Sequence, residues 1–260
     1  MGMLVGVIHL PALPGSPRSE LDAAACAASA AADARVLAEA GYDAIIVENF
    51  GDTPFFATRV PAITVAAMTA CAVAVSAAAP GVPLGINVLR NDAEAALAVA
   101  VCTGAAFVRI NVHTGARVTD QGIVQGEAAT TLRLRRALGA EKIAVWADVD
   151  VKHSAPLGAV RPLVQEVEDL TKRGMADVVL VTGEGTGKGV DLEKLAAVQR
   201  ASGKPVLVAS GATLATLSAL AASANGVVVG SALRVGGIPG GAIDRQLAKD
   251  FASAFRASFV

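Results

Sequence analysis

Short runs rich in Val, Ile and Leu recur along the chain, each followed by a longer stretch with helical spacing. Eight stand out: Leu4 to His9, Ala44 to Glu48, Leu84 to Leu89, Phe107 to Val112, Ile143 to Asp148, Asp177 to Thr182, Pro205 to Ala209 and Gly226 to Val229. The helical stretches lie near 20–40, 62–78, 92–102, 127–138, 160–173, 191–201, 213–223 and 242–257. Strand and helix signals in alternation signify βαβ units and a parallel sheet. No Pro/Ser linker or charge run breaks the series, so one domain over 1–260 is expected. Eight strand–helix pairs at this length suit a closed (β/α)8 TIM barrel better than an open sheet, which carries fewer strands.

In such a barrel one face of each strand meets the helices and the other meets the axis, with chemistry gathered at the C-terminal strand ends. The segment FVRINVHTGA (107–116) then becomes informative. Val108, Ile110 and Val112 form the apolar face, so alternation points Phe107, Arg109, Asn111 and His113 inward. A buried arginine needs a partner. Glu48 and Asp148, at the ends of other strands, are candidates; Asn87 and Arg90 end a strand too, and in the run Asp148-Val-Asp150-Val-Lys152-His153 the members Asp148, Asp150 and Lys152 share a face if the strand stays extended. All three histidines, His9, His113 and His153, fall at or just after strand ends. Glu48 or Asp148 is expected as general acid or base, His113 or His153 as a second proton carrier, and Arg109 and Lys152 as stabilisers of negative charge, with Asn111 beside them. His9, Asn87, Arg90, Asp120 and Thr182 are expected to contact substrate. Asp92 and Asn91 read better as a helix cap than as catalysts, and Asp52 can hold a turn.

An anion site is expected on the other side of the mouth. The sixth strand runs into TGEGTGKG (182–189), where a Walker loop fails because Gly189 follows Lys188, and a dinucleotide fingerprint fails because the next strand ends in Ser210 rather than an acid. What remains is a glycine-rich loop, followed by SGAT (210–213) and GSA (230–232) at the ends of strands seven and eight. Loops there often bind phosphate through backbone N–H groups. Gly183, Gly185, Thr186, Ser210, Gly211, Gly230 and Ser231 are the expected phosphate contacts.

Composition narrows the options. With 22 Lys+Arg, 23 Asp+Glu and few aromatics, the chain offers neither a basic footprint nor a stacking platform for nucleic acid. Cys26, Cys71 and Cys102 form no CxxC pair and read as small core residues in a reducing compartment. No secretory signature opens the chain, so a cytoplasmic location is expected. From Arg59 to Arg90 no charge intervenes, but the Ala, Thr and Ser content of that helix argues for a buried barrel helix or a subunit contact, and a homo-oligomer is plausible. No cofactor is expected. Three histidines with Glu48 and Asp148 are numerous enough for a divalent metal, but no HExxH or Cys/His finger spacing is present.

The segments GVIHLPALPGSP (6–17), ENFGDTPF (48–55), GINVLRNDA (85–93), FVRINVHTGARVTDQGIVQG (107–126), ADVDVKH (147–153), VTGEGTG (181–187) and VLVASGAT (206–213) resemble the BtpA family across nearly the whole chain. The resemblance implies a TIM barrel similar to the ribulose-phosphate-binding group. The family is named for a cyanobacterial factor needed to accumulate photosystem I, and other members look like enzymes of sugar or nucleoside metabolism. After the eighth strand the chain reads LRVGGIPGGAIDRQ in place of the family's charged stretch leading to Asn-Pro-Val-Asp, so contacts of the eighth loop are not carried over. The expected function is an enzyme on a small phosphorylated sugar or nucleoside-like substrate, of isomerase, lyase or nucleosidase type. A non-enzymatic assembly or stability factor acting through the barrel surface is the alternative. A nicotinamide or flavin oxidoreductase lacks its fingerprint.

Overall fold

The structure, a computed structural model, describes residues 2–183 and 189–260. Its strands are β1 (Met3–His9), β2 (Ala44–Glu48), β3 (Leu84–Asn87), β4 (Phe107–Ile110), β5 (Ala116–Thr119), β6 (Gly122–Gln125), β7 (Ala144–Val149), β8 (Ala155–Pro156), β9 (Val178–Val181), β10 (Val206–Val208) and β11 (Gly226–Val229). Eight of them close a parallel barrel in the order β1-β11-β10-β9-β7-β4-β3-β2, which is the expected (β/α)8 architecture. The helices on its outside are α1 (Ala23–Glu39), α2 (Ala62–Ala78), α3 (Ala93–Thr103), α4 (Ala128–Ala137), α5 (Leu163–Glu168), α6 (Leu192–Ser202), α7 (Leu217–Ala221) and α8 (Arg245–Ser258). Asp22, Asp92, Asp191 and Asp244 cap α1, α3, α6 and α8 by accepting first-turn N–H groups. α5 starts later than expected because Pro162 precedes it, and it runs on into a π-helical turn at Asp169–Arg173.

One piece was not expected. β5, β6 and β8 form a separate antiparallel sheet beside the mouth, in the order β6-β5-β8. The β5–β6 hairpin turns at Asp120-Gln121, and the whole sheet sits in the connections after β4 and β7.

Two sets of side chains share each barrel strand. Leu4, Ile8, Ile45, Val47, Val108, Val145, Val179 and Val227 face the helices in the large outer core. Val5, Val7, Ile46, Phe107, Trp146, Leu180, Leu207 and Val228 fill the barrel itself. Phe107 and Trp146 stack with ring centroids 3.7 Å apart. Phe107 has room only because residue 85 lacks a side chain, since a Cβ there would lie 2.1 Å from its ring. Cys26 and Cys71 are core residues as expected, whereas Cys102 is exposed. Among the described residues no helix is long and apolar enough to cross a membrane.

Gly85→Ala is therefore expected to destabilise the fold by about 1–3 kcal/mol through overpacking. Adding Phe107→Leu should recover part of that loss, and urea denaturation of the single and double variants measures the coupling. Strictly additive losses would show that the two positions do not compete for space.

Candidate active site

The inward face of the barrel changes character two residues above its apolar filling. His9 follows Val7, Glu48 follows Ile46, Arg109 follows Phe107 and Asp148 follows Trp146, so strand alternation puts them in one layer. The register agrees, because His9 lies beside Glu48, Glu48 beside Asn87, and Asn87 beside Arg109.

Arg109 organises this layer. Its Nη2 donates to Asp148 Oδ2 at 3.0 Å and its Nε to Oδ1 at 3.3 Å, a two-point contact between planar groups. Its Nη1 stands 3.8 Å from Glu48 Oε2. Asn111 Nδ2 donates to Asp148 Oδ2 at 2.7 Å, and Asn87 Nδ2 donates to Asn111 Oδ1 at 3.1 Å and to the Arg109 carbonyl at 3.0 Å. Burial opposes the charge on Arg109, but the adjacent Asp148 and then Glu48 outweigh it, and its affinity for the proton rises. Asp148 thus has both oxygens engaged, while Glu48 keeps only long contacts.

His9 stacks on Phe50 at 4.4 Å and points Nε2 toward Glu48 Oε1, 4.0 Å away. Its Nδ1 accepts the Gly240 N–H at 3.2 Å, so in the neutral ring the proton resides on Nε2, facing Glu48. Burial, then the positive charges of Arg234, Lys152 and Arg109, hold His9 well below the usual 6.5. Gly230 packs tightly beside it, since a Cβ there would sit 3.0 Å from Nε2.

Arg234 was not anticipated from the sequence. Its buried guanidinium donates to three main-chain carbonyls, Gly241 at 2.6 Å, Gly230 at 2.6 Å and Val7 at 3.2 Å, and so ties the eighth loop to the end of β1. A lone charged residue set in the Gly-rich run after β11 was the available signal.

The mouth of the barrel holds a cavity of about 240 Å³. Glu48, His9, Arg90, Arg109, Asn111, Lys152 and His153 are on it, and Ser210–Thr213 with Gly230–Ala232 also line it. That volume fits a small metabolite rather than a dinucleotide. Gly183 is buried but absent from that lining, and Gly185 and Thr186 lie outside the described residues.

Other expected site residues are placed elsewhere. β4 ends at Ile110, so alternation no longer applies at His113, whose Nε2 meets the Gly174 carbonyl at 2.8 Å. His113 lines a separate surface recess against α4 rather than the mouth. β7 ends at Val149, and Asp150 adopts φ 49°, which breaks the shared face expected for Asp148, Asp150 and Lys152. Asp150 instead pairs with Arg117 and Lys194 beside a second cavity of about 250 Å³, between the small sheet and α5. Thr182 Oγ1 accepts the Lys152 N–H at 3.0 Å, a backbone support outside the cavity lining. Asn87 lies behind Arg109, and Asp120 is exposed at the hairpin turn, where Gln121 donates to it. Asp92 is a cap, and Asp52 holds a turn by accepting the Leu13 N–H at 2.8 Å. Among the described residues no three His, Cys, Asp or Glu side chains converge as metal ligands.

The closed parallel barrel with a charged layer at its C-terminal rim defines a TIM barrel. The chain belongs to the BtpA family, whose pattern matches residues 2–257. The photosystem I biogenesis protein BtpA of Synechocystis is 44% identical over 242 residues, covering 93% of this chain and 83% of that one. N-(5'-phosphoribosyl)anthranilate isomerase from Pyrococcus furiosus shares the fold at TM-score 0.59 and 16% identity, covering 98% of this chain and 99% of that one. (S)-3-O-geranylgeranylglyceryl phosphate synthase from Thermoplasma acidophilum, solved with sn-glycerol-1-phosphate, does so at TM-score 0.60 and 16% identity, covering 98% and 94%.

Replacing Arg109 by Met should cost about 3–5 kcal/mol, because Asp148 is left as an unmatched buried charge. Arg109→Met/Asp148→Leu should cost less than Arg109→Met alone in chemical denaturation, and the reverse order would remove the ion pair from its central role. The buried histidines give a second expectation. Burial holds His113, like His9, below 6.5, so the unfolded chain takes up protons that the folded protein refuses. Stability then falls as pH drops below the unfolded value, by up to about 1.4 kcal/mol per pH unit for each histidine, until the folded value is reached. Urea midpoints at pH 7.5 and 5.5 should show a shallower acid loss in His113→Gln than in the parent protein.

Proposed function

We propose that the protein is an enzyme acting on a small phosphorylated sugar or nucleoside-like substrate by acid/base chemistry, of isomerase, lyase or nucleosidase type. The observation that carries this reading is one cavity lined both by Glu48, His9 and Arg109 and by the loops Ser210–Thr213 and Gly230–Ala232. Arg90, Arg109 and Lys152 bring three cations to a lining whose only carboxylate among the described residues is Glu48, a balance that favours an anionic ligand. The glycerol phosphate carried by one fold neighbour supports the same ligand class.

Glu48 is the proton-transfer group in this scheme, since its carboxylate borders the cavity with only long contacts to Arg109 and His9. Neutral His9 donates from Nε2. Arg109 orients Glu48 and stabilises developing negative charge, and Asp148 with Asn111 holds Arg109 in place.

A second reading has an observation of its own. The outward face of α2 exposes Ile63, Ala66, Ala70, Val73 and Ala77 without a charge, which suits a surface-acting assembly factor or a subunit contact in a cytoplasmic homo-oligomer. The relative named for photosystem I biogenesis favours it too.

Inorganic phosphate is expected to raise the melting temperature of the parent protein and of Glu48→Gln alike, and a screen of sugar phosphates and nucleosides should yield a turned-over substrate. Glu48→Gln should then lower kcat/KM by about 10²–10⁴-fold. Intact turnover in Glu48→Gln overturns the assignment, and loss of function only in Ala70→Glu or Val73→Lys moves the function to the surface.

A further inference from the structure

The segment after β7 is built to hold one amine. Asp150 at φ 49° and His153 at φ 56° place two non-glycine residues in the left-handed region on either side of Val151-Lys152. Such backbone is costly and persists only where surrounding contacts impose it. Those contacts converge on Lys152. Its N–H donates to Thr182 Oγ1 at 3.0 Å, from the end of β9, and its carbonyl accepts from Arg90 Nη2 at 2.8 Å, from the end of β3. The main chain of Lys152 is thus clamped between two barrel strands, and its side chain lines the mouth with Glu48.

The neighbours decide what that amine can do. Arg90 and Arg109 share the cavity, and guanidinium groups keep their protons in any protein environment. An ammonium crowded beside them is the one cation of the three able to discharge by losing a proton. Burial weighs most against its charge; Glu48 on β2 and Asp148 on β7 favour the charge, Arg109 and Arg90 oppose it, and the balance lowers the proton affinity of Lys152. Glu48 is directed to Arg109 and His9 and forms no direct ion pair with it.

We propose that Lys152 is a nucleophile that forms an imine with the carbonyl group of a phosphorylated aldose or ketose. This inference goes beyond, and rests on, the reading of the mouth as a phosphate-ester site. The nitrogen lone pair attacks the carbonyl carbon, the C–N bond forms, and the carbonyl π pair moves to oxygen. Glu48 carries one proton from nitrogen to that oxygen; the hydroxyl then takes a second proton, supplied by solvent, and leaves as water as the nitrogen lone pair forms the C=N bond. Amine plus carbonyl plus one proton gives protonated imine plus water, with no change of oxidation state. The protonated imine withdraws electrons from the adjacent carbon, which is the activation that isomerase and lyase chemistry requires.

The test is reductive trapping. Dihydroxyacetone phosphate with sodium borohydride at pH 7 should leave one adduct by intact mass, and peptide mapping should place it on Lys152. Its rate should exceed that at exposed lysines about tenfold or more, because a desolvated lysine crowded by other cations holds more of its amine unprotonated. Lys152→Arg should lose the adduct and keep the melting-temperature rise in inorganic phosphate. A measurement free of any variant supplements this: pyridoxal 5′-phosphate should give an imine absorption band that inorganic phosphate suppresses. Adducts spread over surface lysines with Lys152 untouched overturn the imine, and a persisting phosphate stabilisation then leaves the phosphate-ester reading standing. Trapping on Lys152 by dihydroxyacetone phosphate without any stabilisation by phosphate supports the imine and removes the phosphate-ester reading.

Discussion

A guanidinium enclosed in a hydrocarbon barrel has to be matched by charge and hydrogen bonds where water cannot supply them. Arg109 meets that requirement with Asp148 at two points and with Glu48 at longer range, and much of the mouth follows from it. Asn111 and Asn87 occupy the adjoining hydrogen-bonding positions, one bonded to Asp148 and the other to the Arg109 carbonyl. The apolar layer beneath is equally determined, because Phe107 fills the space opened by Gly85 and stacks on Trp146. A polar tier on an apolar plug is the physical arrangement from which the site is made.

The same ion pair forms a partition. Arg109 lines the mouth, Asp148 lines the second cavity under the small sheet, and Asn111 borders both. The two carboxylates of the tier therefore differ in character. Asp148 accepts at both oxygens from Arg109 and Asn111, whereas Glu48 meets Arg109 only at 3.8 Å and His9 only at 4.0 Å.

The barrel was legible because its rhythm is strictly local: β-branched runs, the cap at Asp92 and an unbroken alternation of strand and helix. The bounds of α2 at 62–78 follow directly from that rhythm. The tier itself was legible wherever a strand remained a strand, as at Glu48, Arg109 and Asp148, since period-two alternation assigns a face to each residue. It ceased to be legible within one to three residues of a strand end. His113 lies beyond the end of β4, and Asp150 turns left-handed after β7, so parity carried no information at either. The small sheet was missed for a related reason: its strands are short and half exposed, and β8 pairs with β5 across a distance in the chain that no local pattern records. Arg234 and the Gly240 N–H act through tertiary contacts with β1, which one-dimensional periodicity does not encode.

Arg234 grips carbonyl oxygens alone, at Val7, Gly230 and Gly241. A clasp made on the main chain is indifferent to the letters it holds. The non-glycine positions of the stretch from 235 to 240 can therefore drift in spelling, while Gly236, Gly237 and Gly240, at φ 67°, 69° and 98°, shape the backbone that delivers an amide to His9, which reconciles an unfamiliar eighth loop with an otherwise familiar rim.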